Sequence, residues 1–176
     1  RRNCPKCTTR INNKKLCIKL EFIAMQFVIF NIKFKRMNNF SIAIHGGAGT
    51  LVKGMMTPEL ESQYKSTLKL ALNVGYSILG NGGTAVDAAE VGVRVVEADP
   101  SGQSVGIGGL PDRDGLVTLD ACIMNHEGNA GSVCFLQDIL HPISVARKVM
   151  DDTPHVMLAG AGAQRFAFEN GFSSTK

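Results

Sequence analysis

His45 is followed by Gly46, Gly47, Ala48 and Gly49 and preceded by the alternating run Ser41-Ile42-Ala43-Ile44. A strand that runs into glycines lets the backbone turn sharply and brings bare N–H groups close to a ligand. Such groups hold a phosphate, a carboxylate or a developing oxyanion. The spacing matches neither G-x-G-x-x-G nor the lysine-bearing phosphate loop, so nothing specific to a nucleotide is present. A plain strand-to-loop turn is the competing reading. Residues 101–115 form a second glycine-rich stretch, in which Ser104-Val105-Gly106-Ile107-Gly108-Gly109 is not the G-x-S-x-G elbow of hydrolases. His45 has the chemistry of a general base. No cysteine, serine or carboxylate is paired with it locally, so packing or hydrogen bonding by its ring is preferred. His126, His141 and His155 are scattered and form no metal pair. Asp120 sits inside a strand pattern and needs a hydrogen-bond partner there. The residues alone give two glycine-rich loops that could flank one pocket, and no defensible nucleophile.

Cysteine adds little. Cys4-Pro-Lys-Cys7 is a lone C-x-x-C with no second ligand pair nearby, which argues against zinc. Cys122 and Cys134 lie in apolar contexts and read as buried free thiols. Nothing requires an oxidising compartment.

The elements that must position these residues follow from pattern. The chain of 176 residues suffices for one domain with a real core. Residues 1–36 hold ten Lys or Arg against one acid, Glu21, whereas residues 37–176 hold nine bases and fourteen acids. The basic balance therefore belongs to the leader and does not imply nucleic-acid binding by the globular part. Within the leader, the clean apolar run 22–30 is too short to span a membrane, and no small-x-small cleavage site follows. The expectation is that residues 1–36 are not part of the native protein, Met37 being the true start; an uncleaved membrane anchor is the alternative. The domain then comprises residues 37–176.

Thr57-Pro58-Glu59 opens a first helix whose apolar positions at Leu60, Tyr64, Leu68, Ala71, Leu72, Tyr76 and Leu79 keep helical spacing up to the glycines at 80–83. Thr84 caps a second helix, and Asp87 three residues on completes a capping box; that role is preferred to catalysis. The second helix runs to Pro100. Asp112-Arg113-Asp114-Gly115 is a hairpin-type turn. Strands are expected over 41–44, 117–124, its antiparallel partner 130–136, and a short buried one over 155–158. Helices are expected from His141-Pro142 to Thr153 and around 163–170. Paired helices beside an antiparallel hairpin point to α/β (α+β layered) packing rather than a doubly wound parallel sheet.

In order, the segments FSIAIHGGAGT and MTPELE, then GGTAVDA, SVGIGGLPDRDGLVTLDACIM, HPISVARKVM and HVMLAGAGAQRFA, resemble the N-terminal part of a type-2 asparaginase. The opening is similar to isoaspartyl peptidases, the rest to glycosylasparaginases of bacterial type. The resemblance implies a four-layer αββα N-terminal-nucleophile hydrolase, of which this chain supplies the alpha-subunit part. It implies a precursor that cleaves itself before a threonine, which then attacks the side-chain amide of an asparagine derivative with its own α-amino group as base. No His-Asp-Thr or Gly-Asp-Thr motif occurs, so the chain is expected to stop before its nucleophile and to be inactive alone.

The resemblance also places His45, Gly46, Gly47, Ala48 and Gly49 at the border of the site, in a loop that moves for self-cleavage. It puts Ser104 near the substrate and gives the 96–107 segment, with Val96, Glu97 and Asp99, as a sodium loop; no other cofactor is implied. The expected partners are a small-molecule or dipeptide substrate and a second (beta) subunit in an (αβ)2 heterotetramer, with no nucleic acid and no membrane. Glycosylasparaginases carry a Trp-containing segment where HGGAG stands here. The preferred activity is therefore hydrolysis of asparagine or β-aspartyl (isoaspartyl) peptides. Cleavage of N4-(N-acetylglucosaminyl)-asparagine is the first alternative, and a non-catalytic anion-binding module the second. The cytoplasm is the expected location, the periplasm the alternative.

Overall fold

The computed structural model describes residues 40–46, 56–101 and 104–175. The leader, Gly47, Ala48 and Gly49 lie outside the described residues.

Helix α1 (Pro58–Gly80) starts where its local chemistry says it should: Thr57 accepts the Leu60 N–H, Pro58 holds the first position, and Glu59 and Glu61 sit at the positive end. Helix α2 (Ala85–Glu97) opens on a reciprocal capping box between Thr84 and Asp87. The two helices meet along small residues, with Ala71 and Gly75 of α1 facing Gly92 and Ala88 of α2. A Cβ at Gly75 would stand 3.0 Å from the Ala88 carbonyl and 2.6 Å from Ile42 Cδ1, so only glycine permits this approach.

Strands β1 (Leu119–Met124) and β2 (Ala130–Leu136) form the expected antiparallel hairpin, closed by Asn125, whose side chain accepts the amides of Glu127 and Asn129. Helix α3 (Pro142–Asp152) then crosses to β3 (Met157–Ala159), which pairs parallel to β2 and gives a mixed sheet in the order β1-β2-β3. Helix α4 (Gly160–Glu169) follows directly. The core lies between the sheet and its helices: Leu119, Ile123, Val133 and Leu136 meet Val93, Val145, Val149, Ala163 and Ala167. This is one helical layer on one sheet layer. The opposite sheet face carries Cys122, Met124 and Met157, the two methionines 63% and 57% exposed.

Four expectations are corrected. Residues 41–44 are extended but belong to no strand among the described residues. Instead they run along α1, with Phe40 against Tyr76 at 5.0 Å between ring centroids and Ile42 buried at Gly75. The strand expected over 155–158 falls at Met157–Ala159 and is largely exposed, because it is an edge strand on an uncovered face. The last helix begins at Gly160 rather than Ala163; the positive φ of 54° at Gly160 makes the turn out of β3. Cys122 is exposed and Cys134 half-buried, since alternation along each strand sends both to the open face.

Candidate functional site

The starts of the two glycine-rich stretches both lie at one turn of α1. Residues 40–46 run antiparallel to that helix, so the chain reaches its middle at Gly46, where a Cβ would lie 3.0 Å from Leu68 Cδ1. His45 is half-buried just before it. The neighbouring Thr67 donates its hydroxyl to Asp99 at the end of α2, and Asp99 in turn accepts the Ser101 N–H at 2.9 Å. Adjacent residues of one helix thus hold the start of the first loop and the start of the second. Asp99 is a tether there. Burial works to raise its pKa, but hydrogen bonds from Thr67 and Ser101 prevail and keep the carboxyl below its ordinary value.

Ser104 is exposed and adopts φ = 60°, a left-handed conformation that non-glycine residues seldom take. Gly106 (φ = 56°) opens a short 3-10 turn, Gly106–Gly108, and is buried against the main chain of Glu97. A side chain at Gly106 would collide with the Glu97 carbonyl. The loop is thus pressed against the end of α2 while its serine points away from the core. Strain held on an exposed polar residue by a packed neighbour is a mark of functional sites.

Glu97 is buried at the end of α2, which no local pattern in the sequence signals. It is 2% exposed, and its carboxylate takes the Ile143 N–H at 2.9 Å and faces His141 Nδ1 at 3.3 Å. Burial raises its pKa, against the hydrogen bonds from His141 and Ile143. A polar residue at the end of an amphipathic helix looks like an exposed charge. Only the arrival of α3, more than forty positions later, turns it inward.

Among the described residues, no group of three or more His, Cys, Asp or Glu is placed to hold a metal ion. The carboxylates of Glu97 and Asp99 are engaged elsewhere, and the Val96 carbonyl accepts the Asp99 N–H.

The other singled-out residues are structural. Asp87 caps α2 and pairs with Arg147 of α3 at 3.1 Å; the Thr84 hydrogen bond is the main cause of its lowered pKa. Asp120 accepts the Phe135 N–H at 2.8 Å. The register slips there, with Cys134 and Phe135 standing opposite Asp120 alone and Phe135 at φ = 59°. The carboxylate replaces the ladder partner that this bulge removes. His126 and His155 are exposed and join neither loop. Asp112 closes its turn by accepting the amides of Asp114 and Leu116.

A family described as asparaginase matches residues 38–176. The chain is 60% identical over 97 residues to an N(4)-(beta-N-acetylglucosaminyl)-L-asparaginase of Elizabethkingia miricola, covering 55% of this chain and 28% of that protein. It is 41% identical over 140 residues to an isoaspartyl peptidase of Salmonella typhimurium, covering 78% of this chain and 44% of that protein. To an isoaspartyl peptidase/L-asparaginase of Bos taurus it is 40% identical over 131 residues, covering 74% and 41%. The layered α/β fold is consistent with this hydrolase family, and the chain belongs to it: it is a member of the type-2 asparaginases. The chain spans less than half the length of these relatives.

Proposed function

We propose that this chain forms the alpha-subunit side of an amidohydrolase site for asparagine or β-aspartyl peptides. The observation that carries the reading is that Gly46 of the first loop meets Leu68 while Ser101, at the start of the second, is tied through Asp99 to Thr67, the second loop going on to an exposed, strained Ser104. In this reading the nucleophile is supplied by a second segment, the beta subunit that the family resemblance implies. That segment's N-terminal threonine hydroxyl adds to the side-chain carbonyl carbon, its α-amino group takes the proton, and ammonia or an amino acid leaves. Water then releases aspartate from the acyl-enzyme. This chain's part is to border the cleft with the His45 loop and to bind the substrate's polar end with the Ser104 loop. The assembly we envisage is an (αβ)2 heterotetramer in the cytoplasm. No helix of the described residues is long and apolar enough to cross a membrane.

A specific observation favours glycosylasparagine as a second substrate: the 60% identity over 97 residues. The test gives asparagine, a β-aspartyl dipeptide and N4-(N-acetylglucosaminyl)-asparagine to the 176-residue chain, with and without a co-expressed beta segment. Turnover of the first two in the paired sample only is the expected result. Turnover by the chain alone refutes the missing-nucleophile reading, and exclusive turnover of the third substrate moves the assignment to the glycosylasparaginases.

A further inference from the structure

Glu97 sits at a junction of three segments. Its carboxylate caps α3, which has no side-chain cap of its own, by accepting the Ile143 N–H and meeting His141 Nδ1. Its own carbonyl is the surface against which Gly106 is pressed. Two residues further on, Asp99 ties the same stretch to Thr67. A serine or asparagine at position 141 would cap α3 with no buried charge, so capping alone does not account for a carboxylate removed from water. A carboxylate reaching from α2 differs from such a local cap in one respect: it fixes the distance between the two helices, and with it the floor on which the strained 104–106 backbone rests.

We propose that Glu97 is a positioning residue for the substrate-side loop, locking the α2–α3 junction so that Gly106 seats and Ser104 is held at its positive φ. The proposal rests on the reading of Ser104 as substrate-proximal, and the experiment separates the two.

Amide hydrogen exchange is followed in the 176-residue chain for the wild type, Glu97→Ala, Glu97→Gln and Asp87→Ala, the last loosening α2 at its far end. Glu97→Gln keeps an acceptor for Ile143 and a polar contact to His141. The expected result is at least tenfold faster exchange over 105–109 in Glu97→Ala, with smaller changes over 145–149, restoration in Glu97→Gln, and no such local pattern in Asp87→Ala. Uniformly faster exchange, or none over 105–109, overturns the proposal. Should Glu97→Ala fail to fold, Gly106→Ala attacks the same contact from the loop side and must loosen 105–109 while α3 stays protected; protection there overturns it equally. In the enzyme assembled with its beta segment, Glu97→Ala should raise KM for a β-aspartyl dipeptide fivefold or more with kcat within twofold, rescued by Glu97→Gln. A loosened loop with unchanged KM refutes the role of Ser104 and leaves the loop-seating role of Glu97 standing.

Discussion

Gly131 is the tightest point between the sheet and its helical layer. It lies on β2, the central strand, and a Cβ there would fall inside contact distance of the Ala146 carbonyl and the Met150 amide, and 2.8 Å from Met150 Cβ. The first two are backbone atoms of α3 and cannot rotate away. Gly131→Ala therefore pushes strand and helix apart, where Val133, Val145, Ala146 and Val149 are all buried. Overpacking a core costs about 1–3 kcal/mol, and a clash with rigid backbone belongs at the upper end, about 3 kcal/mol. For a domain of this size that lowers Tm by roughly 10 °C. Gly162→Ala is the matched control: the site is inside α4, has nothing within 4 Å and a negative φ, and should gain about 0.4–1 kcal/mol. Both are read by urea and thermal unfolding of the purified chain. Equal midpoints for the two variants would refute the claim that β2 and α3 are in backbone contact.

Other outcomes follow from the same geometry. Asp120→Ala leaves the exposed Phe135 N–H to water at the bulge and should cost about 0.5–1.5 kcal/mol, with increased exchange at Phe135; Asp120→Asn, which keeps an acceptor, should recover most of it. Asp87→Ala removes half a capping box and should cost about 1 kcal/mol, the half-exposed ion pair to Arg147 adding little. Because the folded-state pKa of Asp87 lies below its ordinary value, its contribution is present above pH 3.8 and lost as pH falls through the folded pKa. The stability gap between wild type and Asp87→Ala should therefore close on acidification, measured by urea midpoints across that range.

The parts of this fold that were legible in the sequence are those whose chemistry is local. Thr57-Pro58-Glu59 and Thr84-x-x-Asp87 name helix starts because cap and capped amide lie three residues apart, and the structure makes those bonds. The hairpin followed from alternation on both sides of the Asn125 to Gly128 turn. Burial of Glu97 and exposure of Cys122 depended on where α3 crosses and on which sheet face the helices choose. No local pattern carries either fact. The strand expected at 41–44 has the right alternation, but alternation reports one buried face and not a hydrogen-bonded neighbour; Ile42 is buried on a helix instead. The glycine-rich loops were visible as loops. That their starts are held at Leu68 and Thr67 was not, because Thr67 reads as any polar residue of an amphipathic helix.

The one-sided roofing of the sheet has a calorimetric consequence. Among the described residues the core is drawn from one sheet face only, while Cys122, Met124 and Met157 are already wetted. Unfolding such a layer hydrates less new apolar surface than its length would suggest. Both the denaturant slope and the heat-capacity increment scale with that newly hydrated area. The isolated chain should therefore melt over a broad interval and lose little stability on cooling, with both quantities rising once the second face is covered.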